Sequence, residues 1–126
     1  MAEERMACRG VRGATTIDDA PSAMEACSVE LLERMLEANG ASIQDVAAAI
    51  FTLDDDLAGE NPAAAARTAG WELVPLLMVR EHGADGRVPR CLRVLLLVNT
   101  TRPQAAIRHV YLRDAAVLRP DLTPTP

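Results

Sequence analysis

The segment RCLRVLLLVNT, residues 90 to 100, constrains this chain's fold more than any other stretch. Apolar and β-branched residues run through it almost without a break, which suits a strand buried inside a sheet. Arg93 interrupts the run. A guanidinium in the wall of a hydrophobic sheet is costly unless a carboxylate or an anionic ligand meets it there. Two readings fit the residues: a structural ion pair with Glu81 on a neighbouring strand, or an anion-binding site.

Around that strand the chain alternates strand and helix signals. CRGVRGATT (8 to 16) is a short extended segment that places Arg12 on the face of Gly10 and Ala14, opposite Val11. Asp18, Asp19 and Pro21 suit a helix start and Asn39-Gly40 a stop. Between them Met24, Cys27, Leu31, Leu32, Met35 and Leu36 recur at three and four residues and predict one amphipathic helix. VAAAIFTL (46 to 53) reads as an interior strand. Asn61-Pro62, four alanines, Arg67 and Gly70 predict a short helix with an Asn cap, a proline at its first position and a glycine beyond its end.

A third strand lies within residues 71 to 81, around VPLLMVRE, and the loop HGADGRVP joins it to the strand of Arg93. That hairpin-like spacing favours antiparallel pairing of the two. A turn at 101 to 104 precedes a last strand, IRHVYL (107 to 112); DAAVLRPDL closes the fold, and residues 123 to 126 are expected to be a disordered tail. The expected product is one α+β (α/β-like) domain over residues 1 to 122, a mixed sheet with two covering helices. Two helices leave part of such a sheet bare, so a homo-oligomer is the economical way to bury it.

Composition excludes several classes. The 126 residues are 49% hydrophobic and 25% charged, which fits one globular domain. A formal net charge of −5, with no basic run, argues against a general nucleic-acid binder. The N-terminus MAEERMACRG has no apolar leader core, and the apolar runs at 46 to 51 and 94 to 98 are too short to span a bilayer, so a cytoplasmic protein without membrane contact is expected. Cys8, Cys27 and Cys91 lack metal-ligand spacing and read as small buried hydrophobes. Asp54, Asp55 and Asp56 lack the glycine and terminal glutamate of a calcium loop and read as a solvated turn. No metal or cofactor site is expected.

RGVRGATT (9 to 16), LLERMLEANG (31 to 40), VPLLMVRE (74 to 81), CLRVLLLVNT (91 to 100) and above all RHVYLRDAAVLRPDL (108 to 122) are collinear with one family. The chain resembles the monofunctional chorismate mutases of the small trimeric bacterial type. That resemblance implies a trimeric pseudo-barrel with three active sites in clefts between subunits. It also implies the reaction, the cofactor-free Claisen rearrangement of chorismate to prephenate in phenylalanine and tyrosine biosynthesis.

By the same resemblance Arg93 donates to the substrate's ether oxygen and a carboxylate, and Glu81 accepts a hydrogen bond from the ring hydroxyl. Arg12 and Tyr111 bind carboxylate, Leu76, Leu77 and Met78 line the ring pocket, and Arg119 approaches when the C-terminal tail orders. The adjacent subunit's wall falls on Asn61, Ala63 and Ala64. Relatives often have an aromatic residue at the position of Asn61 and can carry a lysine at that of Ala64; this chain has neither. Arg67, one turn on, reads as a solvated helix residue, and His109 as structural, since a proton shuttle has no task in this reaction. The competing class is a non-catalytic trimeric binder or sensor of small carboxylates. The joint presence of Arg12, Glu81, Arg93 and Tyr111 favours the enzyme, because a generic carboxylate site needs only one or two of them. A trimeric imine or enamine deaminase is a third class, for which the chain has no motif.

Overall fold

Strand β4 (Cys91–Thr100), the segment that carries Arg93, is the middle strand of a five-stranded sheet. The computed structural model describes residues 5–82 and 88–118. In chain order β4 follows β1 (Ala7–Thr16), helix α1 (Ala23–Ala38), β2 (Val46–Leu53), the short helix α2 (Pro62–Ala66) and β3 (Leu76–Arg80), and precedes β5 (Val110–Tyr111). The sheet order is β3-β2-β4-β1-β5. β4 runs antiparallel to both its neighbours, while β3 pairs parallel with β2 and β5 parallel with β1. The sheet is therefore mixed, and with its two helices it has the expected α+β architecture.

The alternation of a strand sorts β4 into two faces. Leu92, Val94, Leu96 and Val98 are buried and join Val11 and Phe51 in the main core, which α1 closes with Leu31, Leu32, Met35 and Leu36. Arg93 and Leu95 point the other way, onto a face that neither helix covers. At one end of that face Ala14, Val88, Cys91, Tyr111 and Ala115 form a second, small cluster. Gly13 faces the helix, and a Cβ there would come within 2.8 Å of the Met35 methyl, so the glycine lets β1 and α1 approach.

The expected hairpin between β3 and β4 does not form. β2 lies between them. Because α2 intervenes between β2 and β3, the pair is a strand-helix-strand unit, and such crossovers join parallel strands. β3 is at least partly exposed along its whole length, as suits an edge strand.

Helix α1 ends where Asn39-Gly40 predicts. Gly40 takes φ 61°, its N–H donates to Glu37 O at 3.2 Å, and the Ala41 N–H donates to Leu36 O at 3.0 Å. That pair of bonds is the Schellman closure. The Asn39 amide also donates to Met35 O and Arg108 O, at 2.8 and 2.9 Å, and accepts from the Arg108 N–H at 2.7 Å, tying the helix end to the segment before β5. The start differs from expectation. The helix begins at Ala23, after Ser22 at φ 64°, so Asp18 and Asp19 lie outside it and Glu25 is the acid of its first turn. Pro21 disfavours helical backbone at Ala20, so the chain turns before it winds.

α2 has the expected cap, the Asn61 side-chain oxygen accepting from the Ala64 N–H at 2.9 Å. β5 is shorter than the predicted 107 to 112. Along the edge of β1 before β5, side chains replace the backbone ladder: Gln104 bonds both the N–H and the C=O of Gly10, and His109 Nδ1 accepts from the Arg12 N–H at 2.9 Å. Among the described residues, no helix is long and apolar enough to cross a membrane.

Candidate active site

Strand register brings the site residues together. On the open face one row runs from Thr52 on β2 through Arg93 on β4 and Ala14 on β1 to Tyr111 on β5, each directly paired with the next. Two residues along, the next row runs from Leu77 through Ile50 and Leu95 to Arg12. These rows floor a cavity of about 480 Å³ lined by Arg12, Gly13, Ala14, Ile50, Thr52, Glu81, Arg93, Val94, Leu95, Tyr111 and Leu118. Arg12, Glu81, Arg93 and Tyr111, far apart in sequence, all line it.

Glu81 reaches Arg93 across the intervening strand, with Oε1 3.2 Å from Arg93 Nε. The two charges attract, but the contact lacks hydrogen-bond alignment. Nε is shut off from solvent and makes no hydrogen bond. The side chains remain 33% and 23% exposed, so this pair sits at a wet boundary and adds little to stability. What it provides is charge balance beside a positioned guanidinium with donor capacity to spend on a ligand. The structure thus contains the ion pair of the first reading inside the cavity demanded by the second.

The other expected site residues lie elsewhere in this chain. Leu76 shares a row with Ala49 and Met78 with Phe51, so both sit on the helix side of edge strand β3, while Leu77 is 56% exposed on the open face. None of the three lines the cavity. Asn61 and Ala64 border a shallow groove with Ser22, Met24 and Glu25 beside α1, and Ala63 is buried in the main core. Arg119 and the tail at 123 to 126 lie outside the described residues.

Thr52 and Ile50 are cavity residues that sequence reading missed. Their period-two spacing in VAAAIFTL carried the signal, masked by the alanines, which read equally well on either face. Asp54 corrects the solvated-turn expectation, being 3% exposed. Asp55 pairs with Arg80 at 3.1 Å, and Asp56 accepts from the Arg90 N–H at 2.7 Å. Among the described residues, no group of His, Cys, Asp and Glu is arranged to hold a metal ion.

Cys27 and Cys91 are buried as expected, whereas Cys8 is exposed. Burial pushes the Cys91 thiol up to about 11, with Asp54 and Glu81 adding to the shift against the opposing charge of Arg93. Thiolate is the reactive form. Native protein at pH 7 should therefore label at Cys8 alone with a maleimide reagent, with Cys27 and Cys91 appearing only after unfolding. Rapid native labelling of Cys91, read by peptide mass spectrometry, would contradict this packing.

Two arginines, a tyrosine and a glutamate line one cavity of small-molecule size on a mixed sheet, a set of groups suited to a small anion. The comparisons specify it: the chain belongs to the type I chorismate mutases, matching that family over residues 8–122. It is 53% identical over 116 residues to the chorismate mutase AroH of Thermus thermophilus, covering 90% of this chain and 95% of the relative. To the Bacillus subtilis AroH it is 39% identical over 122 residues, covering 95% and 96%. A solved chorismate mutase from Clostridium thermocellum superposes with TM-score 0.81 at 38% identity, covering 86% of this chain and 97% of that one. The chain is accordingly an isomerase of aromatic amino acid biosynthesis that converts chorismate to prephenate.

Proposed function

We propose that the cavity around Arg93 is where this rearrangement takes place, and that neighbouring copies of the chain complete it in a cytoplasmic homotrimer. Chorismate carries two carboxylates, a ring hydroxyl and an enolpyruvyl ether. Its ether C–O bond breaks as a C–C bond forms, with no proton transfer and no attacking nucleophile. Such a step calls for a pocket that holds the compact, chair-like conformer and presents positive charge where the ether oxygen becomes partly negative. It needs no metal and no cofactor.

The observation that carries this reading is the convergence of Arg12, Arg93 and Tyr111 on one cavity, with the Glu81 carboxylate balancing Arg93. In the proposed complex Arg93 donates to the ether oxygen and a carboxylate. Arg12 and Tyr111 hold carboxylate oxygens, and Glu81 accepts from the ring hydroxyl. The cation of Arg93 is not lost by deprotonation near neutral pH, so the developing charge is always met.

Support for interfacial clefts comes from what one chain leaves bare. Leu77, Val79 and Leu95 are 56%, 40% and 36% exposed on the open face or its edge. Apolar residues presented this way favour burial against another copy. In the trimer Leu76, Leu77 and Met78, with Asn61 and Ala64, supply the wall of a neighbour's cleft, and Ala63 sets the backbone of α2 behind them. Arg119 joins the substrate-binding residues on the likeness to the family alone.

Mixing copies tests this. Arg93→Ala chains and Ala64→Trp chains should each be poorly active, and refolding them together should restore activity in sites that draw an intact Arg93 and an intact wall from different copies. Absence of recovery, with mixed trimers confirmed by native mass spectrometry, would sink the interfacial cleft. A chelator should leave turnover unchanged throughout.

A further inference from the structure

Thr52 stands between the acid and the arginine. It pairs with Arg93 of β4 on one side and with Val79 of β3 on the other. Glu81 lies two residues past Val79, and its N–H donates to Leu53 O at 2.8 Å, extending the parallel ladder one step beyond β3. The Thr52 hydroxyl donates to Glu81 Oε1 at 2.6 Å, and that same oxygen is the one facing Arg93 Nε at 3.2 Å.

The two contacts on this oxygen differ in kind. The approach of Nε is a charge contact without hydrogen-bond alignment. It attracts the carboxylate but leaves its orientation loose. A short O–H···O⁻ bond is directional and roughly twice as strong as a neutral one. Glu81 sits past the end of an edge strand, with a long side chain whose rotamers must be held by something. The hydroxyl of Thr52 is the donor in place to hold them. Threonine suits the task because its β-branch restricts χ1 and so aims the hydroxyl.

We propose that Thr52 is a positioning residue for the rearrangement. Its hydroxyl fixes the Glu81 carboxylate with Oε1 turned to Arg93, so that Oε2 meets the substrate's ring hydroxyl and the Arg93 guanidinium stays directed at the ether oxygen. The proposal rests on the roles given above to Glu81 and Arg93 and deepens them by naming what keeps the pair in register.

The test compares Thr52→Val, Thr52→Ser, Glu81→Ala and the Thr52→Val/Glu81→Ala double variant in steady-state turnover of chorismate, with a thermal melt for each. Valine keeps the shape and removes the donor. Thr52→Val should keep the wild-type Tm within a few degrees yet lose about tenfold in kcat/KM, a loss in proportion to one hydrogen bond to a charged group. Most of that loss should fall in kcat, since the ether-oxygen contact strengthens as the bond breaks. Thr52→Ser should recover most of the activity. In the Glu81→Ala background Thr52→Val should cost nothing further, because the group it positions is gone.

A residue that merely supports the fold would lower Tm and add its loss to that of Glu81→Ala. Thr52→Val with wild-type kcat/KM, beside an impaired Glu81→Ala, overturns the positioning role and leaves the site assignment standing. An unimpaired Glu81→Ala overturns the assignment itself, and the proposal with it.

Discussion

Arg93→Ala is expected to lower kcat by at least about two orders of magnitude while the sheet stays folded. Removing one preorganised donor from a developing oxyanion costs roughly 3 to 4 kcal/mol, and each 1.36 kcal/mol is a factor of about ten in rate. Arg93 sits on the open face of β4, with its neighbours Leu92 and Val94 buried against the helix-side core, so the substitution leaves that core intact. It also leaves Glu81 bonded to Thr52. Lysine at position 93 should recover only part of the loss, because a flexible ammonium does not reproduce a planar fork held in place. The measurement is the loss of chorismate's ultraviolet absorbance, with prephenate verified by acid conversion to phenylpyruvate. Near wild-type turnover in a folded Arg93→Ala protein would show that the guanidinium is there for the ion pair alone.

Arg12→Ala should act differently, raising KM about tenfold or more while kcat changes by a small factor. A carboxylate contact made equally in the bound substrate and in the transition state lowers KM without raising kcat, and a hydrogen bond between charged groups is worth that much. The backbone beneath Arg12 is held independently, by the β1–β4 ladder at Leu95 and by His109 Nδ1 accepting its N–H. The substitution therefore removes the head group without shifting the strand. Unchanged KM, or a loss lying wholly in kcat, would remove Arg12 from carboxylate binding.

The two variants probe residues that register brings side by side from β1 and β4. Their rows are adjacent on one face, with Arg12 opposite Leu95 and Arg93 opposite Ala14. A slip of one residue in this pairing would send Arg12 to the helix side, so the same hydrophobic pattern that buries Val11 and Val94 also orients the cations.

Much of this was legible in the chain before folding. The period of the helix stripe at 24 to 36, the Asn39-Gly40 stop, the Asn61-Pro62 cap and the apolar run of β4 are local signals, set by side-chain spacing and backbone preference within a few residues. Arg93 was conspicuous for the same reason, as a charge inside an apolar strand. The likeness of RGVRGATT and RHVYLRDAAVLRPDL to a known family supplied the reaction.

Pairing was not legible in this way. Loop length alone suggested that β3 and β4 form a hairpin, but the α2 crossover makes β3 the parallel partner of β2 and places β2 between the two. Strand order depends on contacts between residues distant in sequence, which no local spacing encodes. The placement of Thr52 between Glu81 and Arg93 follows from that order, and so does the ion pair spanning β2. By itself, then, the sequence determined the main elements, the buried stripe of α1 and the charged residue that had to find a partner, because these are consequences of periodicity and solvation. Only the tertiary structure decided which strands are neighbours, and so which hydroxyl, carboxylate and guanidinium share one cavity. Register and strand order are settled by burial of the whole sheet against α1 rather than by any stretch of the chain taken alone.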